Sequence, residues 1–270
     1  MYRQFFGLKY APLGKQCPLF DNGQVQELKK QFDWLKQSPG LGLLTAEPGL
    51  GKTATLRQIT NELNPNQYKI FYIAETDFGR LDFYRQLAVR FDLSPSYYRS
   101  QLWRDLKQCI AHLVTQKNIQ PILIIDEAQN LPLDFFKDFP SFLNFVFDSK
   151  DYLTVWLVGH PELSRLVSRQ QFAAFASRIQ ARYELKPFID KEVFQQLITH
   201  GFTQAGCTHS LMSETGIELL RMASQGNPRI ASQTLVAALN IATDKNVNHL
   251  PDDIIKEALI LLKQDLKSGN

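Results

Sequence analysis

The chain has 270 residues and a mass of 31.0 kDa, enough for one large α/β domain or for a core of about 170 residues with a smaller helical partner. Hydrophobic residues make up 44% and charged residues 21%, a balance that excludes a disordered, collagen-like or coiled-coil chain. Lys and Arg outnumber Asp and Glu by 30 to 27, giving a net charge of +3 and a pI near 8.6, so any basic surface for nucleic acid must be local.

Cys17, Cys109 and Cys207 lie far apart with no Cys-x-x-Cys pair, which argues against a disulfide framework or a zinc site and for the reducing cytoplasm. The opening MYRQFFGLKYAPLG has no signal-peptide core, and no window approaches 18 uncharged apolar residues. No membrane span is therefore expected.

Along the chain, apolar positions Val25, Leu28, Phe32 and Leu35 recur at helical spacing, predicting one amphipathic helix over 25–36. Ser38-Pro39-Gly40 stops it. Short apolar runs then alternate with helical patterns. The runs are 41–45, 69–74, 122–125 and 153–158, with a last strand over 182–187; the helices are 54–63, 81–91, 100–116 and 133–147. This alternation predicts an α/β fold with a parallel sheet covered on both faces. After a boundary near Phe188 the pattern is almost wholly helical, with segments 191–204, 213–224, 229–243 and 252–266 forming a small bundle and 267–270 a frayed tail. The expected division is a core of residues 1–187, including an N-terminal segment of residues 1–38, and an all-helical lid of residues 188–270.

Two motifs carry chemistry. Ala46-Glu47-Pro48-Gly49-Leu50-Gly51-Lys52-Thr53 follows the first strand and opens a helix, fitting the phosphate-binding loop G-x-x-x-x-G-K-[ST] with Ala46 in place of the first Gly. Gly49 and Gly51 let backbone N–H groups wrap a phosphate, Lys52 reaches the β/γ-phosphates, and Thr53 offers its hydroxyl to Mg2+. The nucleotide-binding stretch thus runs from Glu47 through Ala54. The competing reading is a Gly-rich turn without a ligand. Ile122-Leu123-Ile124-Ile125-Asp126-Glu127 is the companion, a strand ending in two carboxylates where open α/β sheets bind ligand. Asp126 would hold Mg2+ and Glu127 would orient and deprotonate the attacking water; a helix N-cap is the competing reading of this pair.

FFGLKYAPL, EPGLGKT, LIIDEAQNLP, VGHPEL and GNPR follow one another in this sequence, and with them the chain resembles the AAA+ ATPases of the ExeA-like group, related to the transposition helpers TnsC, TniB, MuB and IstB. The resemblance implies an αβα P-loop domain followed by a helical lid, with ATP and Mg2+ as cofactors. It assigns His160 to the sensor 1 position, where the family more often has Gln or Asn. Arg229 of the GNPR motif takes the sensor 2 position, reaching nucleotide phosphates. An arginine finger acting on a neighbouring subunit falls to Arg178, with Arg182 as second choice. In the resembling transposition ATPases the segment after the second strand meets duplex DNA, which points here to Arg80, Arg99, Arg104 and Lys107, interleaved with Tyr97, Tyr98 and Trp103. An amphipathic helix with a solvated basic face is the competing reading, since six cations there meet four anions.

The expected function is an ATP-dependent regulator of transposition. It would oligomerise as a ring or filament on duplex DNA without sequence preference and recruit or license a transposase, with ATP hydrolysis driving disassembly. ExeA proper is longer and membrane-anchored, whereas this chain ends at Asn270 without a span, which favours the transposition side. The alternative is an ExeA-type secretion or envelope-assembly ATPase acting on protein partners without DNA, and a third reading is a nucleotide-gated signalling switch.

Overall fold

A computed structural model describes residues 2–74, 76, 79–146 and 149–268. It contains five strands, β1 (Leu41–Thr45), β2 (Tyr68–Ile73), β3 (Gln120–Ile125), β4 (Thr154–Gly159) and β5 (Ile179–Glu184). The helices in chain order are α1 (Tyr2–Phe5), α2 (Gln24–Gln37), α3 (Lys52–Asn61), α4 (Arg80–Arg90), α5 (Arg99–Thr115), α6 (Leu133–Phe142), α7 (Pro161–Val167), α8 (Ala173–Ala176), α9 (Lys191–Ala205), α10 (Glu214–Ser224), α11 (Pro228–Asp244) and α12 (Asp252–Ser268).

The five strands form one parallel sheet in the order β2-β3-β4-β1-β5. Alternate side chains of β1, β3 and β4 are buried on opposite faces, which is why these strands read as continuous apolar runs. On one face Leu43, Leu123, Ile125, Val155 and Leu157 meet the aromatic side chains of α4, α6 and α8, among them Phe83, Phe135, Phe139 and Phe175. Across the other face Phe32 of α2 stacks on Trp156 of β4, with ring centroids 5.5 Å apart. Gly42 lies under that indole: a Cβ there would come within 2.6 Å of the Trp156 ring. β1 therefore needs a glycine for packing rather than for backbone freedom.

Among the expected elements of the sheet domain, β5 and α6 differ most in their bounds. β5 begins at Ile179 rather than Arg182, because it is the edge strand and its sequence IQARYE alternates exposed and covered residues instead of forming an apolar run. α6 stops at Phe142 rather than Phe147. Lys107 on α5 donates its ammonium to the Ser141 and Asn144 carbonyls at 3.2 and 2.8 Å, satisfying acceptors where the helix ends. Phe147 itself lies outside the described residues.

The chain divides into two compact units, Gly23–Pro48 with Lys52–Leu185, and Met1–Asn22 with Gly49–Gly51 and Lys186–Asn270. The helical unit therefore begins two residues before the expected boundary and takes in the first 22 residues, which sequence reasoning assigned to the core. The reason is backbone satisfaction: Lys9 N–H donates to Ala205 O at 2.8 Å, and Ser232 Oγ donates to Pro12 O at 2.7 Å. Phe6 and Leu8 join Phe194, Phe202, Leu235 and Leu239 in the core of this unit. Three of its helices start on side-chain caps, Asp190 accepting from Val193 N–H, Ser213 from Gly216 N–H, and Asn227 from Arg229 and Ile230 N–H, each worth about 1 kcal/mol. α12 continues through Ser268, and Gly269 and Asn270 of the expected tail lie outside the described residues. Among the described residues no helix is long and apolar enough to cross a membrane.

Candidate functional site

The parallel register brings the carboxyl ends of β1, β4, β3 and β2 to one edge: Thr45 pairs with Gly159, Leu157 with Ile125, and Ile125 with Ile73. In a sheet of this kind that edge is where ligands bind. The residues just beyond the strands are those singled out from sequence. Ala46 is buried and donates its N–H to Gly159 O at 3.1 Å; a methyl group is accommodated where the motif has its first glycine. Glu47 and Pro48 are exposed, Leu50 is buried and Ala54 partly buried on α3.

Gly49 and Gly51 have φ of +90° and +92°, a region that side chains rarely occupy and that turns successive N–H groups toward one point. They group with the helical unit, where a Cβ on Gly49 would meet Asn227 Oδ1 at 2.6 Å and Arg229 Cβ at 2.7 Å. Arg229 itself is exposed at the start of α11.

Lys52 opens α3 with its side chain buried and its ammonium donating to Ala46 O at 2.8 Å. Thr53 Oγ1 donates to Asp126 Oδ2 at 2.7 Å, linking the two motifs directly. Asp126, 5% exposed, also accepts from the Tyr72 hydroxyl at 2.8 Å and, at Oδ1, from Glu127 N–H at 3.0 Å. A hydroxyl and a carboxylate oxygen in contact form a hard-oxygen pair of the kind Mg2+ takes, the remaining positions going to phosphate and water. Among the described residues no cluster of three or more His, Cys, Asp or Glu is gathered to hold a metal without them. The residues fit the cation.

Glu127 has left-handed backbone, φ +50° and ψ +38°, and its carbonyl accepts from Thr76 Oγ1 at 2.9 Å. Its carboxylate Oε2 accepts from Gln129 Nε2 at 2.6 Å and lies 3.1 Å from His160 Nε2. Gln129 Oε1 in turn accepts from the His160 backbone N–H at 3.2 Å. Lys52, Thr53, Asp126, Glu127 and His160 thus come together at this edge of the sheet. Sequence reasoning missed Tyr72, Thr76 and Gln129. Gln129 was visible two residues after Glu127, but its partner His160, just beyond β4, is 31 residues away and only the sheet order makes them neighbours.

The other candidates are more scattered. Arg178 immediately precedes β5 and donates to Asn144 Oδ1 at 2.7 Å. Arg182 lies within β5 and is exposed, lining with Thr45, Ser164, Arg165, Tyr183 and Glu184 a cavity of about 360 Å3. On α5, Arg99 pairs with Asp138 of α6 at 3.0 Å and stacks over Trp103 at 4.3 Å from the ring centroid. Burial of Lys107 lowers its pKa from the usual lysine range, in keeping with its place at the end of α6. Arg104 is exposed, as are Tyr97 and Tyr98. The Arg80 side chain, and Asp77 before it, lie outside the described residues. Of the four proposed DNA contacts, Arg99 and Lys107 are thus engaged in intramolecular contacts, and Arg104 is the one whose described side chain is exposed.

Residues 35–167 match the family described as AAA domain. Over 259 residues the chain is 28% identical to General secretion pathway protein A of Aeromonas hydrophila, an alignment covering 92% of this chain and 47% of the relative. The chain thus spans about half the length of the curated relative it matches. Its structure is similar to that of Aeropyrum pernix ORC2 in its ADPNP-ADP complexes, with a TM-score of 0.67 at 15% identity over 95% of this chain and 70% of that one. It is also similar to Aeropyrum pernix ORC1 in complex with DNA, with a TM-score of 0.68 at 13% identity over 94% and 69% of the two chains. Over residues 35–167 fold and motifs together define an AAA domain on a P-loop ATPase fold, a class that uses ATP with Mg2+. Within that class the similarity that runs along most of the sequence is to a secretion-pathway protein, in keeping with the resemblance to the ExeA-like group.

Proposed function

We propose that this chain is an ATP-driven switch that assembles on duplex DNA and licenses a transposase, with hydrolysis at Glu127 ending the assembled state. The observation that carries the ATPase part is the joining of Thr53 to Asp126 at 2.7 Å beside Glu127 and His160. Lys52 and the N–H groups around Gly49 and Gly51 bind the phosphates. Thr53 and Asp126 hold Mg2+, which when bound neutralises charge on the phosphate oxygens. Glu127 orients the attacking water and takes its proton, and His160 hydrogen-bonds at the same point through Nε2. Arg229 serves as sensor 2, and Arg178, with Arg182 as second choice, reaches the nucleotide of a neighbouring subunit in the ring or filament.

DNA as the partner is supported by the shared fold with a protein whose structure is of a DNA complex and by Arg104, Tyr97 and Tyr98 on the exposed surface after β2. With a net charge of only +3, binding rests on many subunits acting together. The similarity to General secretion pathway protein A favours a second reading, in which the same switch acts on protein partners in secretion or envelope assembly.

Turnover and co-sedimentation with duplex DNA test the two parts separately. Glu127→Gln is expected to keep ATP affinity and to lose turnover by about 100-fold or more, while Lys52→Ala loses nucleotide binding. Wild-type protein should pellet with duplex DNA in the presence of a non-hydrolysable ATP analogue, less so as salt rises, and Arg104→Ala should weaken binding on every sequence alike. Turnover without salt-sensitive DNA binding would support the secretion reading instead.

A further inference from the structure

We propose that Gln129 is a positioning residue for ATP hydrolysis, clamping the Glu127 carboxylate to the end of β4, and that position 159 is glycine to leave room for that clamp. The proposal rests on the ATPase reading of the site and deepens it. Gln129 uses both ends of its amide, with opposite polarity. Its Nε2 donates to Glu127 Oε2 at 2.6 Å, and its Oε1 accepts from His160 N–H at 3.2 Å. An amide both donates and accepts, and glutamine carries one at this length, so the geometry suits the residue type.

The third contact is steric. A Cβ on Gly159 would fall far inside van der Waals contact of Gln129 Oε1, and close to Leu163 Cδ2 at 2.9 Å. Gly159 has no left-handed φ, so backbone conformation does not call for glycine here. What calls for it is the space taken by the Gln129 amide and the Leu163 side chain.

The consequence for the chemistry lies in which oxygen of Glu127 remains available. Oε2 is held by Gln129 and faces His160 Nε2; Oε1 has no hydrogen-bond partner among the described residues. Glu127 stands on a left-handed backbone at the start of a short turn and its carboxylate makes no cap hydrogen bond to that turn. Gln129 fixes the rotation of the carboxylate about its last bond, leaving Oε1 as the oxygen that takes the proton from water. A base held within hydrogen-bond reach in one orientation is worth far more than one that rotates.

Gln129→Met keeps chain length and removes both hydrogen bonds, and Gly159→Ala pushes the amide aside from the opposite direction. Steady-state ATP turnover, affinity for a fluorescent ATP analogue and the thermal midpoint are measured for both variants, for Glu127→Gln and for the double variant Glu127→Gln/Gln129→Met. The expected result is a kcat about 10- to 100-fold lower in Gln129→Met, nucleotide affinity within about three-fold, and no additional loss when Gln129→Met is added to Glu127→Gln. Gly159→Ala should follow the same pattern if it folds, and Gln129→Met decides the matter if it does not. An unchanged kcat in Gln129→Met, a loss confined to KM, or full additivity with Glu127→Gln overturns the proposal while leaving the ATPase reading intact. Absence of turnover in the wild-type protein overturns both.

Discussion

Replacing Tyr72 by Phe removes one oxygen and leaves the ring in place on β2. The hydroxyl donates to Asp126 Oδ2 at 2.8 Å, and without it the buried carboxylate keeps Thr53 Oγ1 and Glu127 N–H as donors. A hydrogen bond to a charged group contributes about 1.5–3 kcal/mol. Tyr72 is 38% exposed, so water replaces part of the lost bond and the expected cost at pH 8 is about 1 kcal/mol. The same contact has a pH signature. Burial first, then the hydrogen bond to Asp126 and the charges of Asp126 and Glu127, raise the Tyr72 phenol above its usual pKa of 10.0. The unfolded chain therefore releases this proton at lower pH than the folded one, and above pH 10 it binds fewer protons. Stability must fall as pH rises from 10 toward the folded value. One proton limits the slope to about 1.4 kcal/mol per pH unit, and solvent screening of a phenol this exposed reduces it to roughly half. Urea midpoints of wild type and Tyr72→Phe at pH 8, 10 and 10.5 measure the effect: the gap between them should be present at pH 8 and close as pH rises. Equal midpoints at pH 8, or a gap that stays constant to pH 10.5, would refute the assignment of Tyr72 as a donor to Asp126.

Gly42→Ala places a methyl group 2.6 Å from the Trp156 ring and should lower stability by about 1–3 kcal/mol, the usual cost of overpacking a filled core; an unchanged thermal midpoint would mean that the Phe32–Trp156 stack can shift at no cost. In the helical unit, hydrogen bonds from Thr215 and Ser213 hold the Asp252 carboxyl below its usual value of 3.8. A depressed carboxylate stabilises above its unfolded pKa, and that contribution is lost as pH falls through the folded value. Wild type should therefore lose more stability than Asp252→Asn between pH 5 and pH 2, and parallel acid-denaturation curves would count against the contact. Lys107→Met removes the donor to Ser141 and Asn144; it should lower the thermal midpoint and leave the salt dependence of DNA binding unchanged. A reduced salt slope with an unchanged midpoint would restore Lys107 to the DNA surface.

The sequence by itself determined the strands that are buried on both faces. Their apolar runs are visible without any partner, and β1 was located over 41–45 to the residue. It also marked the P-loop pattern and the Asp126-Glu127 pair, because both are made of residues adjacent in the chain at a strand-to-turn switch. What depends on neighbours across the sheet was not written in any one segment. β5 alternates because it lies at the edge, and only the order β3-β4 sets Gln129 between Glu127 and His160. The N-terminal segment looked like part of the core until its backbone groups met partners on α9 and α11. Charge was the least legible feature. Arg99 and Lys107 belong to a run that reads as basic surface, yet Asp138 and the end of α6 engage them, because the direction a long side chain takes is decided by the element packed against it.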